Sequence, residues 1–302
     1  MNPTASLENL RLRSRLIQGV RTFFHGRGYL EVETPVLGPE IIPEAYIDPI
    51  TSGDSFLPAS PEIYMKRLLA RGHTRLFQIC KCFRRDEHGD RHLSEFTMLE
   101  WYGAHQTYLD LMAQCQDLFR HLAQVLDMGT TLHYQGKTIN LSGPFERLTV
   151  AQAFEQYSTM DCWQALDQGK FDEIISFDIE PALGMNRPLI LQDYPSPLAS
   201  LAELLPGDPT LAQRFELYAS GMELANGFTE LTDPIIQRQR FEEENAIRVQ
   251  RGQSPLPLPE QFLSDLEKLP PAAGIALGLD RLIMLFTNEK SIHNIVSFSH
   301  NP

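Results

Sequence analysis

The sequence predicts an α+β fold, a mainly antiparallel sheet flanked by helices, and three stretches carry that expectation. Phe96 to Tyr102 alternates with the two-residue period of a strand. Tyr108, Leu111, Met112, Cys115, Leu118, Leu122 and Val125 form a helical stripe. Phe215 to Phe228 reads as two apolar-rich strands folded back at Ala219, Ser220 and Gly221, which brings Glu216 and Glu223 close together.

Along the chain, Leu10, Ile17, Val20 and Phe24 fall near helical spacing, and Gly26 and Gly28 end that helix. A strand from Tyr29 to Glu33 leads into Thr34 and Pro35. A second helix is expected over Glu62 to Ala70, its start favoured by Pro61, followed by a strand through Leu76 to Phe83. The polar run Arg85 to Ser94 is a loop. In the strand after it, Phe96, Met98, Glu100 and Tyr102 share one face, while Thr97, Leu99 and Trp101 share the other. A carboxylate and a phenol therefore stand side by side. Residues 129–209 are less periodic and read as an insertion or connecting region. Asp233 and Pro234 open a charged helix ending at Gly252, followed by a Pro-rich linker, SPLPLPE. GIALGLDRLIMLF reads as a strand passing through Gly278 into a helix that begins near Asp280 and Arg281.

With 42% hydrophobic residues the chain can bury a sizeable core, as one large domain or one with an inserted subdomain. No run approaches the roughly 20 apolar residues of a membrane span, and the first residues lack the apolar segment of a signal peptide, so a cytoplasmic protein is expected. Cys80, Cys82, Cys115 and Cys162 show neither a disulfide framework nor zinc-type CxxC pairs, and are expected as reduced thiols. The net charge of −13 has the wrong sign for wrapping a polyanion, because non-specific nucleic-acid affinity comes mainly from Lys and Arg.

Three segments suit the chemistry of activating a carboxylate with ATP, which needs fixed positive charge, a divalent cation and a firm grip on two anions. Arg84 stands where a strand enters the charged loop, Arg91 and His92 lie in the loop, and Phe96 stands where the chain returns to the sheet. Arginine forks between carboxylate and phosphate oxygens, and an aromatic floor stacks on a base. Glu216 and Glu223 form a carboxylate pair of the kind magnesium accepts together with phosphate oxygens. Arg281, at the start of a helix, adds its charge to the helix N-terminus. Each has an ordinary alternative: FRRDEHGDRH as a solvated hairpin tip, the glutamates as solvated side chains, Arg281 as a surface arginine.

Taken together, the segments resemble the signature motifs of class II aminoacyl-tRNA synthetases in their lysine-specific version. GYLEVETPVL (28–37) is similar to motif 1, the dimer-forming element, FRRDEHGDRHLSEFTMLEWY (83–102) to motif 2, and GIALGLDRLIMLF (274–286) to motif 3. SPEIYMKRLL (60–69) and GMELANGFTELTDP (221–234) resemble lysyl-tRNA synthetase specifically. The resemblance implies that Arg84 and Arg281 are catalytic, with Arg84 on the α-phosphate and substrate carboxylate and Arg281 on the γ-phosphate. It places Asp86, Arg91, His92, Phe96 and Glu216 around ATP and gives Mg²⁺ to Glu216 and Glu223. It sets Glu62 at the amino group near the carboxylate and Glu100, Tyr102 and Glu230 at the side-chain ammonium, with Glu223, Ala225 and Asn226 also on the amino-acid side. The residue chemistry agrees, since a buried ammonium needs charged acceptors.

Only about 28 residues precede motif 1, leaving no room for the anticodon-binding barrel of the tRNA enzyme, so residues 1–302 are expected as a single catalytic domain. In this and in ELANGF, with Ala225 where the tRNA enzyme carries Gly, the chain resembles the truncated paralogues that attach (R)-β-lysine to a lysine of elongation factor P. That resemblance implies a homodimer with lysine or β-lysine, ATP and elongation factor P as substrates, no dependence on tRNA, and Ala225 as selector of the isomer. A tRNA-charging or amide-forming enzyme and a non-catalytic regulatory relative are the alternatives. Arg85, Asp86, Leu93 and Ser94 depart from the usual motif 2, which bears on nucleotide contacts rather than on the fold.

Overall fold

The computed structural model describes residues 3–299. Helix α1 (Leu7–His25) is capped by Ser6, whose side chain accepts the Asn9 N–H, and it turns Leu16, Val20, Phe23 and Phe24 inward. The expected strand after it shrinks to β1 (Leu30–Glu31), which pairs in parallel with β4 (Arg75–Phe83). Between them lie a small hairpin, β2 (Ile50–Ser52) and β3 (Ser55–Leu57), and helix α2 (Glu62–Ala70), entered from Pro61 as expected. Strand β5 (Glu95–Ala104) returns beside β4 and is followed by α3 (Tyr108–Val125), whose apolar stripe is buried.

Residues 129–209 do more than connect. They form a separate hairpin, β6 (Thr131–Tyr134) and β7 (Lys137–Asn140), then β8 (Glu146–Thr149) and the short helices α4 (Val150–Tyr157), α5 (Cys162–Asp167) and α6 (Phe171–Ile174). They end in β9 (Leu189–Pro195) and β10 (Leu204–Leu205), and β8, β9 and β10 all join the central sheet. Elements this short give no sustained period, which is why the sequence left the stretch unassigned.

The hairpin of β11 (Asp208–Ala219) and β12 (Met222–Thr229) turns at Ser220 and Gly221 with φ of 54° and 67°. Positive φ at both turn residues matches the right-handed strand twist. Helix α7 (Pro234–Gln250) is capped by Asp233, which accepts from the N–H groups of Ile235 and Ile236. The Pro-rich linker gives way to an unanticipated helix, α8 (Glu260–Leu266). Strand β13 (Ala272–Gly278) then runs directly into α9 (Leu279–Thr287).

Among the described residues the main sheet runs β1-β4-β5-β13-β12-β11-β9-β8, with β10 on β11, and is antiparallel except at β1/β4 and β8/β9. Register decides what each face does. Gln78, Glu100, Ala276, Asn226 and Glu216 lie opposite one another across five strands. The next row holds Ile79, Leu99, Leu277, Ala225 and Leu217 and packs into the core with α1, α3 and α9. Side chains alternate between faces, so the first row lines a polar floor and the second an apolar one. Helices α2, α7 and α8 build a second apolar cluster at the edge of the polar face around Tyr102, Phe241 and Phe262. All four cysteines are free.

Candidate active site

Two adjoining cavities open on the polar face. The first lies beside the start of α2, where Ser60 organises two acids: its hydroxyl donates to Glu100 Oε1 at 2.6 Å and accepts the Glu62 N–H at 3.0 Å. The Tyr102 hydroxyl donates to Glu100 Oε2 at 2.7 Å. Glu100 is fully buried, and burial followed by the neighbouring Glu62 pushes its carboxyl up to about 8. Lys66, one turn beyond Glu62, is buried and ion-paired to both Glu62 and Glu230. Burial opposes its charge, but Glu230 and Glu62 more than offset this and hold the ammonium above its ordinary value. Glu230 Oε1 is buried with no hydrogen-bond partner. A Cβ at Gly274 would strike the Tyr102 ring and Glu230 Oε1, so only glycine keeps this corner open. A buried, unpartnered carboxylate oxygen beside a phenol and further acids is an acceptor site for a cation.

The second cavity is lined by basic groups. Arg84 lies 5.1 Å over the Phe96 ring and 3.4 Å from Glu87 Oε1. Arg281 donates to the Glu223 carbonyl at 2.9 Å and to His92 Nε2 at 2.5 Å. Because guanidinium only donates, that ring nitrogen accepts, and burial followed by Arg281 lowers the His92 pKa in keeping with a neutral ring. Arg91 donates to the Gly221 carbonyl at 3.0 Å, which ties the motif 2 loop to the β11–β12 turn. Glu216 accepts from Arg214 at 2.7 Å and from the Tyr218 hydroxyl at 2.6 Å. Burial and then the Glu223 carboxylate raise its pKa. Among the described residues no cluster of three or more metal-ligating side chains forms. The mutual repulsion of Glu216 and Glu223 nevertheless fits a hard dication that completes its shell with phosphate oxygens and water.

The structure sets one expected residue, Asp86, apart from both cavities. Ala225 lies in the apolar row with Leu99, Leu217 and Leu277 and packs with the core, and it borders the second cavity but not the first. Ala276, in the row with Glu100, Asn226 and Glu216, lines both cavities. Asp86 is exposed, with left-handed backbone at φ 60°, and lies outside both cavities, whereas its neighbour Glu87 lines the second. Of the other expected residues, Glu62, Tyr102 and Asn226 line the first cavity, Arg84 lines both, and Arg91, His92, Phe96, Glu216, Glu223 and Arg281 line the second, with Glu100 and Glu230 buried beside the first.

Three further residues went unread in the sequence. Lys66 carried a signal, a lysine four residues after Glu62 on an otherwise apolar helix face. Arg214 carried another, two residues before Glu216 and so on the same strand face. Glu44, in an irregular loop, carried none. Glu44, Arg84, Met98, Asn226 and Ala276 line both cavities and mark their junction.

Residues 2–302 match the family model described as tRNA synthetases class II (D, K and N). Among curated proteins, the chain is 39% identical to the elongation factor P–(R)-beta-lysine ligase of Pectobacterium atrosepticum, over 98% of this chain and 96% of that one. It is 38% identical to the protein of that name from Baumannia cicadellinicola and 37% identical to the one from Salmonella typhi, with the same coverage.

Proposed function

The chain belongs to the class II tRNA synthetases of the D, K and N type, and from that premise we propose that it activates (R)-β-lysine with ATP and transfers it to a lysine side chain of elongation factor P. It is an ATP-dependent ligase. One observation carries the substrate class: an acidic cage of Glu62, Glu100 and Glu230, with one orphaned carboxylate oxygen, opens through Arg84 into an arginine-lined cavity. A diamino acid enters with its distal ammonium toward Glu100, Tyr102 and Glu230, its nearer amine toward Glu62, and its carboxylate toward Arg84. ATP occupies the second cavity, with its base against Phe96 and its phosphates toward Arg91, His92 and Arg281. Arg84 spans both substrates, so its fork stabilises the negative charge that builds as carboxylate oxygen meets α-phosphorus. Glu216 and Glu223 would hold Mg²⁺, which supplies charge neutralisation of the phosphate oxygens. Replacing Glu223 by Gln is therefore expected to slow pyrophosphate exchange on the order of 10² to 10³-fold, and undiminished exchange would remove the metal assignment.

The deciding experiment incubates purified protein with ATP and each lysine isomer, in the presence of elongation factor P or of tRNA. The expected result is AMP release and a β-lysyl mass increment on the factor. Aminoacylated tRNA in its place would favour the tRNA-charging reading, which the net charge of −13 disfavours. A non-catalytic relative has no chemical need for Arg84, Glu216, Glu223 and Arg281 around one cavity. The setting this reading implies is the cytoplasm, and no helix among the described residues is long and apolar enough to cross a membrane.

A further inference from the structure

The proposed second step has a proton requirement that the acid cage and the arginines do not meet. A lysine side chain of an acceptor protein arrives as an ammonium at neutral pH, with an ordinary pKa of about 10.4, and cannot attack a carbonyl until it loses a proton. A base is needed where the acyl carbonyl sits, the junction of the two cavities.

Among the five residues that line both cavities, one can accept a proton at neutral pH, and it is Glu44. Every other acidic residue lining either cavity has a cation partner: Glu40 with Arg67, Glu62 with Lys66, Glu87 with Arg84, Glu216 with Arg214, Glu223 with Arg281 and Asp280 with Arg13. The Glu44 carboxylate makes no hydrogen bond or ion pair among the described residues. It stands half-buried on an irregular loop at the junction of the two cavities. The loop itself is held by its backbone and not by this side chain: Arg248 donates to the Glu44 carbonyl at 3.0 Å, and the Ala45 N–H donates to Glu244 at 2.6 Å.

We propose that Glu44 is the general base that deprotonates the acceptor lysine, a role resting on the acyl-transfer reading above. Its carboxylate takes one proton from the incoming ammonium, and the freed nitrogen lone pair attacks the acyl carbon of the adenylate. The C–N bond forms and the bond from acyl carbon to phosphate oxygen breaks, the electron pair leaving with AMP. The second nitrogen proton passes to the departing phosphate oxygen, giving amide, AMP and protonated Glu44. The charged groups facing Glu44 are Arg84 and Arg214, which favour its ionised form, and Glu62 and Glu244, which oppose it. Burial leads the balance and pushes the carboxyl up to about 7, near the operating pH, where a general base is most effective.

The test separates the two half-reactions in wild type, Glu44→Gln and Glu44→Asp. Pyrophosphate exchange reads adenylate formation, hydroxylamine reads adenylate capture by a nucleophile already neutral at pH 7, and acylation of elongation factor P reads transfer to an ammonium. The expected result for Glu44→Gln is transfer at pH 7 lowered about 10² to 10⁴-fold, at least tenfold more than any change in exchange or capture. The deficit should narrow as pH rises toward the acceptor amine's own pKa, and Glu44→Asp should recover part of the rate. Equal transfer in wild type and Glu44→Gln would overturn the proposal, as would a raised KM for β-lysine in exchange, which would make Glu44 an amine anchor. A wild type that exchanges but never acylates the factor would remove the acceptor reading alone. The same comparison with N-acetyl-lysine amide as acceptor then decides Glu44.

Discussion

Ala276 and Ala225 sit one row apart on neighbouring strands, and of the two Ala276 lines both cavities whereas Ala225 packs in the core row and borders only the second. Ala276 lies where the reacting carboxylate and the nearer amine are expected, the end at which α-lysine and β-lysine differ. One methyl there is worth roughly 10 to 200-fold in selectivity. Ala276→Gly is expected to shift the ratio of kcat/KM for the two isomers toward α-lysine, measured by pyrophosphate exchange. Ala225→Gly should move that ratio less and cost roughly 0.5 to 1 kcal/mol or more of stability, since it removes a buried methyl and loosens a strand. If Ala225→Gly moves the ratio and Ala276→Gly does not, the assignment by register fails.

Helix α9 carries Arg281, and what fixes that helix is the residue before it. Asp280 is buried, accepts the Thr97 N–H of β5 at 2.6 Å and accepts from Arg13 of α1 at 2.6 Å. One carboxylate thus joins the first helix, the motif 2 strand and the motif 3 helix. Asp280→Ala leaves the buried Thr97 N–H without its acceptor and a largely buried guanidinium without its carboxylate, and should cost about 3 kcal/mol in urea unfolding. Asp280→Asn, which retains the volume and one acceptor, should cost less. A loss within 0.5 kcal/mol for both variants, roughly that of an ordinary surface change, would show that the junction contributes little. At this same scale the sequence was read well wherever an element was long. Helices α1, α2, α3 and α7 and strands β4, β5, β11, β12 and β13 follow their apolar periods and caps. Helix α8 was missed because two turns behind a run of prolines offer too few positions for a period to register.

At the scale of the molecule, the substrate-free acid cage should make stability depend on pH. Burial and Glu62 raise Glu100 to about 8, and burial raises Glu44 to about 7, from an ordinary 4.5 in the unfolded chain. A carboxyl with a raised folded-state pKa binds its proton more tightly when folded, so its contribution is complete below about pH 4.5 and is lost as pH rises to 8. The Tm should therefore fall between pH 5 and pH 8, and Glu100→Gln should flatten the slope. A Tm independent of pH over that window in wild type would contradict the assignment. The motif 1 segment also leaves Leu30, Val36 and Leu37 about half exposed, which supports a homodimer across this face. Light scattering should give twice the chain mass of 34.4 kDa, and Leu30→Glu with Leu37→Glu should reduce it to one chain; a wild-type monomer at micromolar concentration would refute this.

The sequence by itself determined the fold class, the long elements and the residue types that meet at the two cavities, because periodicity, caps and turn glycines are local and are written in neighbouring residues. It brought Glu216 and Glu223 close together through one hairpin and put Glu100 and Tyr102 on one strand face, since a turn and a strand's alternation need only their own residues. The tertiary structure alone decided that Ala276 lines both cavities while Ala225 borders only the second, because that depends on the bulge between Leu217 and Tyr218 and on pairing between strands far apart in the chain. It alone revealed Lys66 held between Glu62 and Glu230, and Glu44 left without a partner at the junction. Pairing and burial are properties of neighbours in space, and an irregular loop carries no period that announces where its side chains will stand.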